Sequence, residues 1–252
     1  MSGHSKWATT KHKKAALDKT RGKLFAKIIR QVEVAAREGG GDPEANPTLR
    51  TMYQKARAAS IPLDTIEKAI KRGTGELDGV RYEAVTYEGY APCGVAVYVE
   101  ALSDNRNRTG SDIRSAFSKL GGSIAEPGSV SWQFARKGVI ILSKSVGSED
   151  ELMTVGLDAG LEDLEDEGDT WQMTSAPSDF LSLRSALDDA GMRYDSADLT
   201  MVATTTVPLR SEADALKVLR LLDALEDNDD VQNVFANFDI PDEVLETVAV
   251  EA

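Results

Sequence analysis

Cysteine occurs once, at Cys93, and histidine only at His4 and His12. A lone thiol excludes an internal disulfide framework and points to a reducing, cytoplasmic setting. One cysteine and two histidines make a poor zinc set. Neither histidine has a carboxylate close in sequence to fix its tautomer for acid–base work. A phosphate loop of the glycine–lysine–serine kind is missing: Gly39-Gly40-Gly41 runs into Asp42-Pro43, which is acidic and stiff. No stretch approaches the ~18 apolar residues of a membrane span. The basic start lacks the apolar core of a signal peptide. Catalysis, a metal, a cofactor and a membrane are therefore not expected.

Acidic residues are plentiful, but no catalytic pair stands out among them. The run from Glu162 to Asp169 lacks calcium-loop spacing and reads as a solvated hairpin edge. The 252 residues allow one to three domains, and 41% apolar content is enough for ordinary cores. The net charge of −13 is unevenly placed. Residues 1–75 carry 16 Lys and Arg against 7 Asp and Glu, a net of +9, and residues 76–252 carry 13 against 35, a net of −22. A basic segment on an acidic body suggests a polyanionic partner, with the body orienting the approach by repulsion.

Periodicity divides the chain. Residues 1–20 lack a core face and are expected to form a mobile basic arm. Helical spacing of Leu24, Phe25, Ile28, Ile29, Val32, Ala35 and Ala36 predicts a helix over Thr20–Arg37, ended by the three glycines. A second helix starts at Asn46-Pro47, a cap residue followed by proline. A third follows Pro62, with Asp64 and Glu67 at capping-box spacing. These predict a three-helix bundle over 21–80. Beyond it, Val95, Val97 and Val99 mark a strand. Thr109 and Asp112 are expected to cap a helix carrying Ile113, Ala116, Phe117 and Leu120, and Val130, Trp132 and Phe134 alternate as another strand.

From residue 137 to 208 the expected order is strand, helix, strand, strand, helix, strand, the ferredoxin-like arrangement. A helix over Ser211–Glu226 and a strand over Val231–Phe238 remain, and these cannot bury their apolar faces alone. They are expected to close the sheet begun at residues 82–134. The resulting division is an arm at 1–20, a bundle at 21–80, an α+β domain from 81–136 plus 209–245, and an inserted ferredoxin-like domain at 137–208.

The candidate nucleic-acid contacts lie in two places. The arm and bundle offer His4, Lys6, Trp7, Lys11, His12, Lys13, Lys14, Lys19, Arg21, Lys23, Lys27, Arg30, Lys68, Lys71 and Arg72. Lysines neutralise phosphates with counterion release, while Trp7 and His12 can stack on bases. The second place is the turn Asn105, Arg106, Asn107 and Arg108, preceding a helix where the dipole disfavours cations. Either a partner anion relieves that cost or the arginines pair with nearby acids, and the residues leave both readings open.

Several separated segments resemble the YebC/PmpR family, which includes the mitochondrial translational activator of cytochrome c oxidase subunit I. They are Gly3-His4-Ser5-Lys6-Trp7 with Lys11-His12-Lys13, Gly39 to Pro43, Asn46-Pro47, Glu67 to Gly73, Tyr87 to Pro92, Asp104 to Thr109, and Gly128-Ser129-Val130. The resemblance implies an N-terminal helical bundle followed by two ferredoxin-like α+β domains; the element order along the chain makes this a three-helix bundle followed by two ferredoxin-like α+β domains, the last inserted in the second. It also implies a non-enzymatic role in gene expression. Family members are described as DNA-binding transcriptional regulators or as ribosome-associated factors easing synthesis through proline-rich stretches. The expectation leans to the ribosomal role, with ribosomal RNA as partner, because the outward residues of the third helix include little Asn or Gln to read base edges. A DNA-binding transcriptional regulator is the alternative. A monomer is expected in either case.

Overall fold

The computed structural model describes residues 18–241 and Val244, with the side chains of residues 18–21 excluded. Three helices come first: α1 (Asp18–Gly39), α2 (Pro47–Ala58) and α3 (Leu63–Thr74). Their apolar stripes meet in one core built from Ile28, Val32, Ala35, Leu49, Ala56, Ile66 and Ala69. Asn46 fastens the corner between α1 and α2. Its Oδ1 accepts from the Leu49 N–H at 3.0 Å, and its Nδ2 donates to the Ala35 and Gly40 carbonyls at 2.8 and 2.9 Å. Gly40 takes φ +87°, the left-handed conformation that lets the chain leave α1. The expected capping box of α3 is not formed. Pro62 occupies the cap position without a side-chain hydrogen bond, so Asp64 falls in the first turn and pairs with Lys68 at 2.7 Å instead.

The second unit is a four-stranded antiparallel sheet in the order β3-β1-β2-β9. Its strands are β1 (Glu83–Tyr90), β2 (Ala96–Ser103), β3 (Ser123–Ala125) and β9 (Val231–Ala236). Helices α4 (Arg106–Lys119) and α7 (Glu212–Glu226) cover one face. Between them lie Val95, Val97, Val99, Ile113, Phe117, Val218, Leu221 and Leu225, all sealed from water. Each such side chain contributes about 1.5–3 kcal/mol by leaving water. The layout of four strands and two helices is that of a ferredoxin-like sheet, but its two inner strands, β1 and β2, follow each other directly in the chain with no α-helix between them. The sequence reading lacked both β1 and β3.

The third unit follows the six-element order in full: β4 (Phe134–Ser143), α5 (Glu149–Gly156), β5 (Leu161–Asp166), β6 (Thr170–Ser175), α6 (Phe180–Asp189) and β7 (Ser196–Ala203). Its sheet order is β5-β6-β4-β7, with every pairing antiparallel. The run from Glu162 to Asp169 forms the end of edge strand β5 and its turn into β6. The chain then forms the short strand β8 (Val207–Pro208), passes through α7, and returns so that β9 lies antiparallel to β2, with Val97 opposite Ala236. A last short strand, β10 (Phe238–Asp239), runs parallel to β8. The third unit is thus an insertion in the second.

The expected strand over Val130–Phe134 is absent. Ser131–Gln133 is a single 3-10 turn, and the strand starts only at Phe134. The two α+β units are joined by a small apolar cluster of Ala96, Val130, Phe134 and Phe235, flanked by Tyr98 and Met201. At the crossing point buried Asn237 accepts from the Ala96 N–H at 2.7 Å and donates to Gln133 Oε1 at 2.9 Å. Among the described residues no helix is long and apolar enough to cross a membrane.

Gly73 marks where α1 and α3 come closest: a Cβ there would lie 2.4 Å from the Glu33 carbonyl oxygen. The backbone of α1 cannot yield without separating the helices. Gly73→Ala is expected to destabilise the protein by about 1–3 kcal/mol. A fall in denaturant midpoint at unchanged slope would register it.

Candidate nucleic-acid interface

Of the expected contacts, His4, Lys6, Trp7, Lys11, His12, Lys13 and Lys14 lie outside the described residues, as do the side chains of Lys19 and Arg21. Lys23, Lys27 and Arg30 form one stripe along α1 at helical spacing, opposite the core stripe of Ile28, Val32 and Ala35. That stripe faces the acidic end of α7 rather than open solvent. Lys23 Nζ donates to the Asp227 carbonyl at 3.1 Å and to its carboxylate at 2.8 Å. Lys27 Nζ donates to the Glu226 carbonyl at 2.8 Å. Arg30 donates to the Asp229 carbonyl and, at 3.1 Å, to the Asp230 carboxylate, with its guanidinium 5.3 Å from the centre of the Tyr82 ring.

The three basic residues of α3 divide. Arg72 Nε donates at 3.0 Å to Glu33, a carboxylate buried in the bundle and shared with Arg37. Lys68 pairs with Asp64, and both remain exposed. Lys71 is exposed in the last turn.

The Asn105–Arg108 turn opens α4 directly. Asn105, not Thr109 or Asp112, is the cap: its Oδ1 accepts from the Arg108 N–H at 3.1 Å. The Arg108 guanidinium donates to Asp104 at 2.6 Å and to Asp230 at 2.7 Å. Thr109, expected at the cap, sits inside the helix. Its hydroxyl lies 2.6 Å from Asp230 Oδ2 and 2.6 Å from the Ser103 hydroxyl. Asp230 therefore gathers Arg30, Arg108 and Thr109 around one buried carboxylate. Burial alone would push its acidity down, but the Thr109 hydroxyl and the two guanidiniums outweigh burial and hold its carboxyl below the usual range. The same carboxylates raise the Arg108 guanidinium further above its already high value. Of the two readings left open for the turn, internal pairing describes Arg108. Arg106 and Asn107 stay exposed.

Three features of this surface were not read from the sequence. Arg114 stands one helical rank beyond Gly110 and lines an open groove with Ser111, Ser115, Ser118 and Ser123. Arg106 and Arg114 both act electrostatically on Tyr87, whose phenol burial pushes up. Trp132, expected inside a strand, is 68% exposed, its indole N–H held by the Ser129 carbonyl at 3.0 Å. The loop that carries it is organised by Glu88, buried on β1. That carboxylate accepts the N–H groups of Gly128, Val130 and Ser131 at 2.8, 2.6 and 2.9 Å. A glutamate amid strand residues gives no sign of this in the sequence, since its partners lie some forty positions on.

Burial would raise the Glu88 carboxyl, yet the three N–H groups prevail and hold it below the ordinary carboxylate range. The folded state therefore favours the ionised form. Its contribution is present above the unfolded value and is lost as pH falls through the lower folded value. Glu88→Gln is expected to lower stability at neutral pH by about 1–3 kcal/mol and to flatten the acid side of the stability profile. Melting curves recorded from neutral pH down through the carboxylate range would show both effects.

The family descriptions TACO1/YebC protein N-terminal domain and TACO1/YebC second and third domain match residues 5–76 and 82–238. A probable transcriptional regulatory protein of Beutenbergia cavernae is 57% identical over 97% of this chain and 98% of its own. One of the same description from Streptomyces avermitilis is 56% identical over 98% and 99%. The crystal structure of a conserved hypothetical protein from Aquifex aeolicus superposes with a TM-score of 0.81 at 45% identity, covering 90% of this chain and 94% of that one. With both domain descriptions matched in order and relatives similar over nearly their whole length, the chain belongs to the TACO1/YebC family.

Proposed function

We infer that the protein is a non-enzymatic regulator of gene expression that grips nucleic acid by its phosphates, with RNA in a ribosomal setting as the favoured partner. The observation that carries this is the outer face of α3. It presents Asp64, Thr65, Glu67, Lys68 and Lys71, with Lys68 paired to Asp64 and Arg72 turned inward to Glu33. Such a face lacks the Asn, Gln or free Arg that make bidentate contacts to base edges, and its acids repel a duplex. Lysines of the arm position a chain on phosphates without reading sequence. Structured RNA, recognised by shape and backbone, suits that chemistry. The acidic body, facing away from the phosphates, lets a thin basic arm enter an RNA pocket. Easing synthesis through proline-rich stretches is the role within this reading that the family resemblance supports, for a cytoplasmic monomer. Duplex DNA is the second reading, favoured by the description of the relatives as probable transcriptional regulatory proteins.

Deleting residues 1–20 is expected to weaken RNA binding strongly. The remaining binding should lose salt dependence, by roughly 0.7–0.9 in logarithmic slope for each phosphate contact removed. Arg106→Ala should weaken function without unfolding the chain. Arg108→Ala, in contrast, removes a partner of buried Asp230 and should lower the melting temperature. Sedimentation with ribosomes from lysate, beside a titration of genomic DNA fragments at matched salt, decides between the partners. Sequence-selective DNA binding without ribosome association would establish the second reading.

A further inference from the structure

The contact between α1 and the α7–β9 loop has an unusual chemistry. Each cation of the stripe meets oxygens arranged as a polyanion would offer them: the carbonyls of Glu226, Asp227 and Asp229 and the carboxylates of Asp227 and Asp230. The carbonyls of Glu226 and Asp227 stand at the C-terminus of α7, where the helix dipole adds negative potential. No apolar cluster among the described residues spans this contact. The bundle core draws only on residues between Phe25 and Ile70, and the core beneath α7 only on residues from Tyr87 onward. Gln31, beside the stripe, and Gln232, beside the loop, each keep a buried side-chain oxygen without a protein partner. The Lys23–Asp227 pair is largely open to water, with Asp227 77% exposed. Pairs of that kind contribute little and are screened by salt. The bundle joins the body through Gly75–Tyr82, which holds glycines at both Gly75 and Gly79 and forms no helix or strand.

We propose that the Glu226–Asp230 loop is an internal stand-in for a nucleic-acid backbone: it occupies the basic stripe of α1, and phosphates compete for that stripe, releasing the bundle from the body. The proposal rests on the nucleic-acid reading above and adds a second, covered phosphate-binding surface to it. A phosphate chain gives Lys23, Lys27 and Arg30 the same charge-assisted bonds that the loop gives them. Its affinity is reduced by the fraction of molecules in which the stripe is covered, and releasing the stripe restores it. Arg30 is the residue both states share most closely, since Asp230 retains Arg108 and Thr109 when the helix leaves.

The test places Lys23→Cys and Asp227→Cys in a Cys93→Ser background and joins the two thiols with a reductant-cleavable bismaleimide. The bridged and cleaved forms share one sequence, so their comparison is free of the charge lost by substitution. Cleavage is expected to tighten binding of oligouridylate about tenfold. Adding oligouridylate should enlarge the radius of gyration by small-angle scattering in the cleaved form only. Equal affinity before and after cleavage overturns the proposal, as does tighter binding with no expansion. A measurement on the RNA-free wild type separates the two ideas: its radius should grow as salt rises, because the contact is electrostatic. If no form binds oligouridylate yet the wild type expands with salt, the nucleic-acid reading fails while the detachable contact stands. A constant radius at all salt concentrations overturns the detachable contact itself.

Discussion

Asp230 is a carboxylate almost without contact with water, and three parts of the chain converge on it: the end of the α1 stripe through Arg30, the first turn of α4 through Arg108 and Thr109, and the start of β9 through its own backbone. An isolated charge so placed would be very costly, and Arg108 and Thr109 keep it compensated from within the body while Arg30 reaches it from the bundle. The partners therefore fix one another. Arg108 can sit at the positive end of a helix only because a buried anion faces it. The first turn of α4 keeps its register because Thr109 binds both Asp230 and Ser103. The bundle takes its bearing on the body from the same point.

Around that centre the two charge populations of the chain are brought together rather than kept apart. Along the sequence the basic segment and the acidic remainder look like two independent surfaces. In space the outward stripe of α1 is covered by the most acidic loop of the second unit, and the inward cations of the bundle close on Glu33. What remains exposed on α3 is a mixture of both signs. A charge sum over a segment thus overstates the charge a partner meets, because part of it is neutralised within the molecule.

Local patterns carried the parts of the fold that local physics determines. The three N-terminal helices show in the spacing of Ile28, Val32 and Ala35 and in the Asn46-Pro47 start. The insertion shows because its six elements form a complete unit while the flanks do not. β1 stayed hidden because its buried positions include Glu88 and Gly89, which break the alternation of a half-buried strand. Val130, Trp132 and Phe134 imitate that alternation, yet the Val130 N–H goes to Glu88 and the Phe134 N–H to the Ser131 carbonyl of a 3-10 turn. At the candidate site the misses share one cause. Lys23 and Arg30 meet partners about two hundred positions away, and Arg108 reaches Asp230 across 122. No window along the sequence contains both ends of such a pair.

The insertion also imposes an order on biosynthesis. β2 is an inner strand, but the neighbour on one of its sides is β9, so that Glu100 touches Asn233 only after 133 further residues have been made. As the chain emerges from a ribosome, the inserted unit can complete its own sheet while the strand edge of β2 stays bare. Val97 and Val99 meanwhile lack the α7 residues that cover them. An unpaired inner edge beside uncovered valines is the kind of surface that recruits other chains. β9 closes that edge, and the residue that leads into it is Asp230. Completion of the sheet, burial of the carboxylate and seating of the basic helix thus fall together, once β9 has been made.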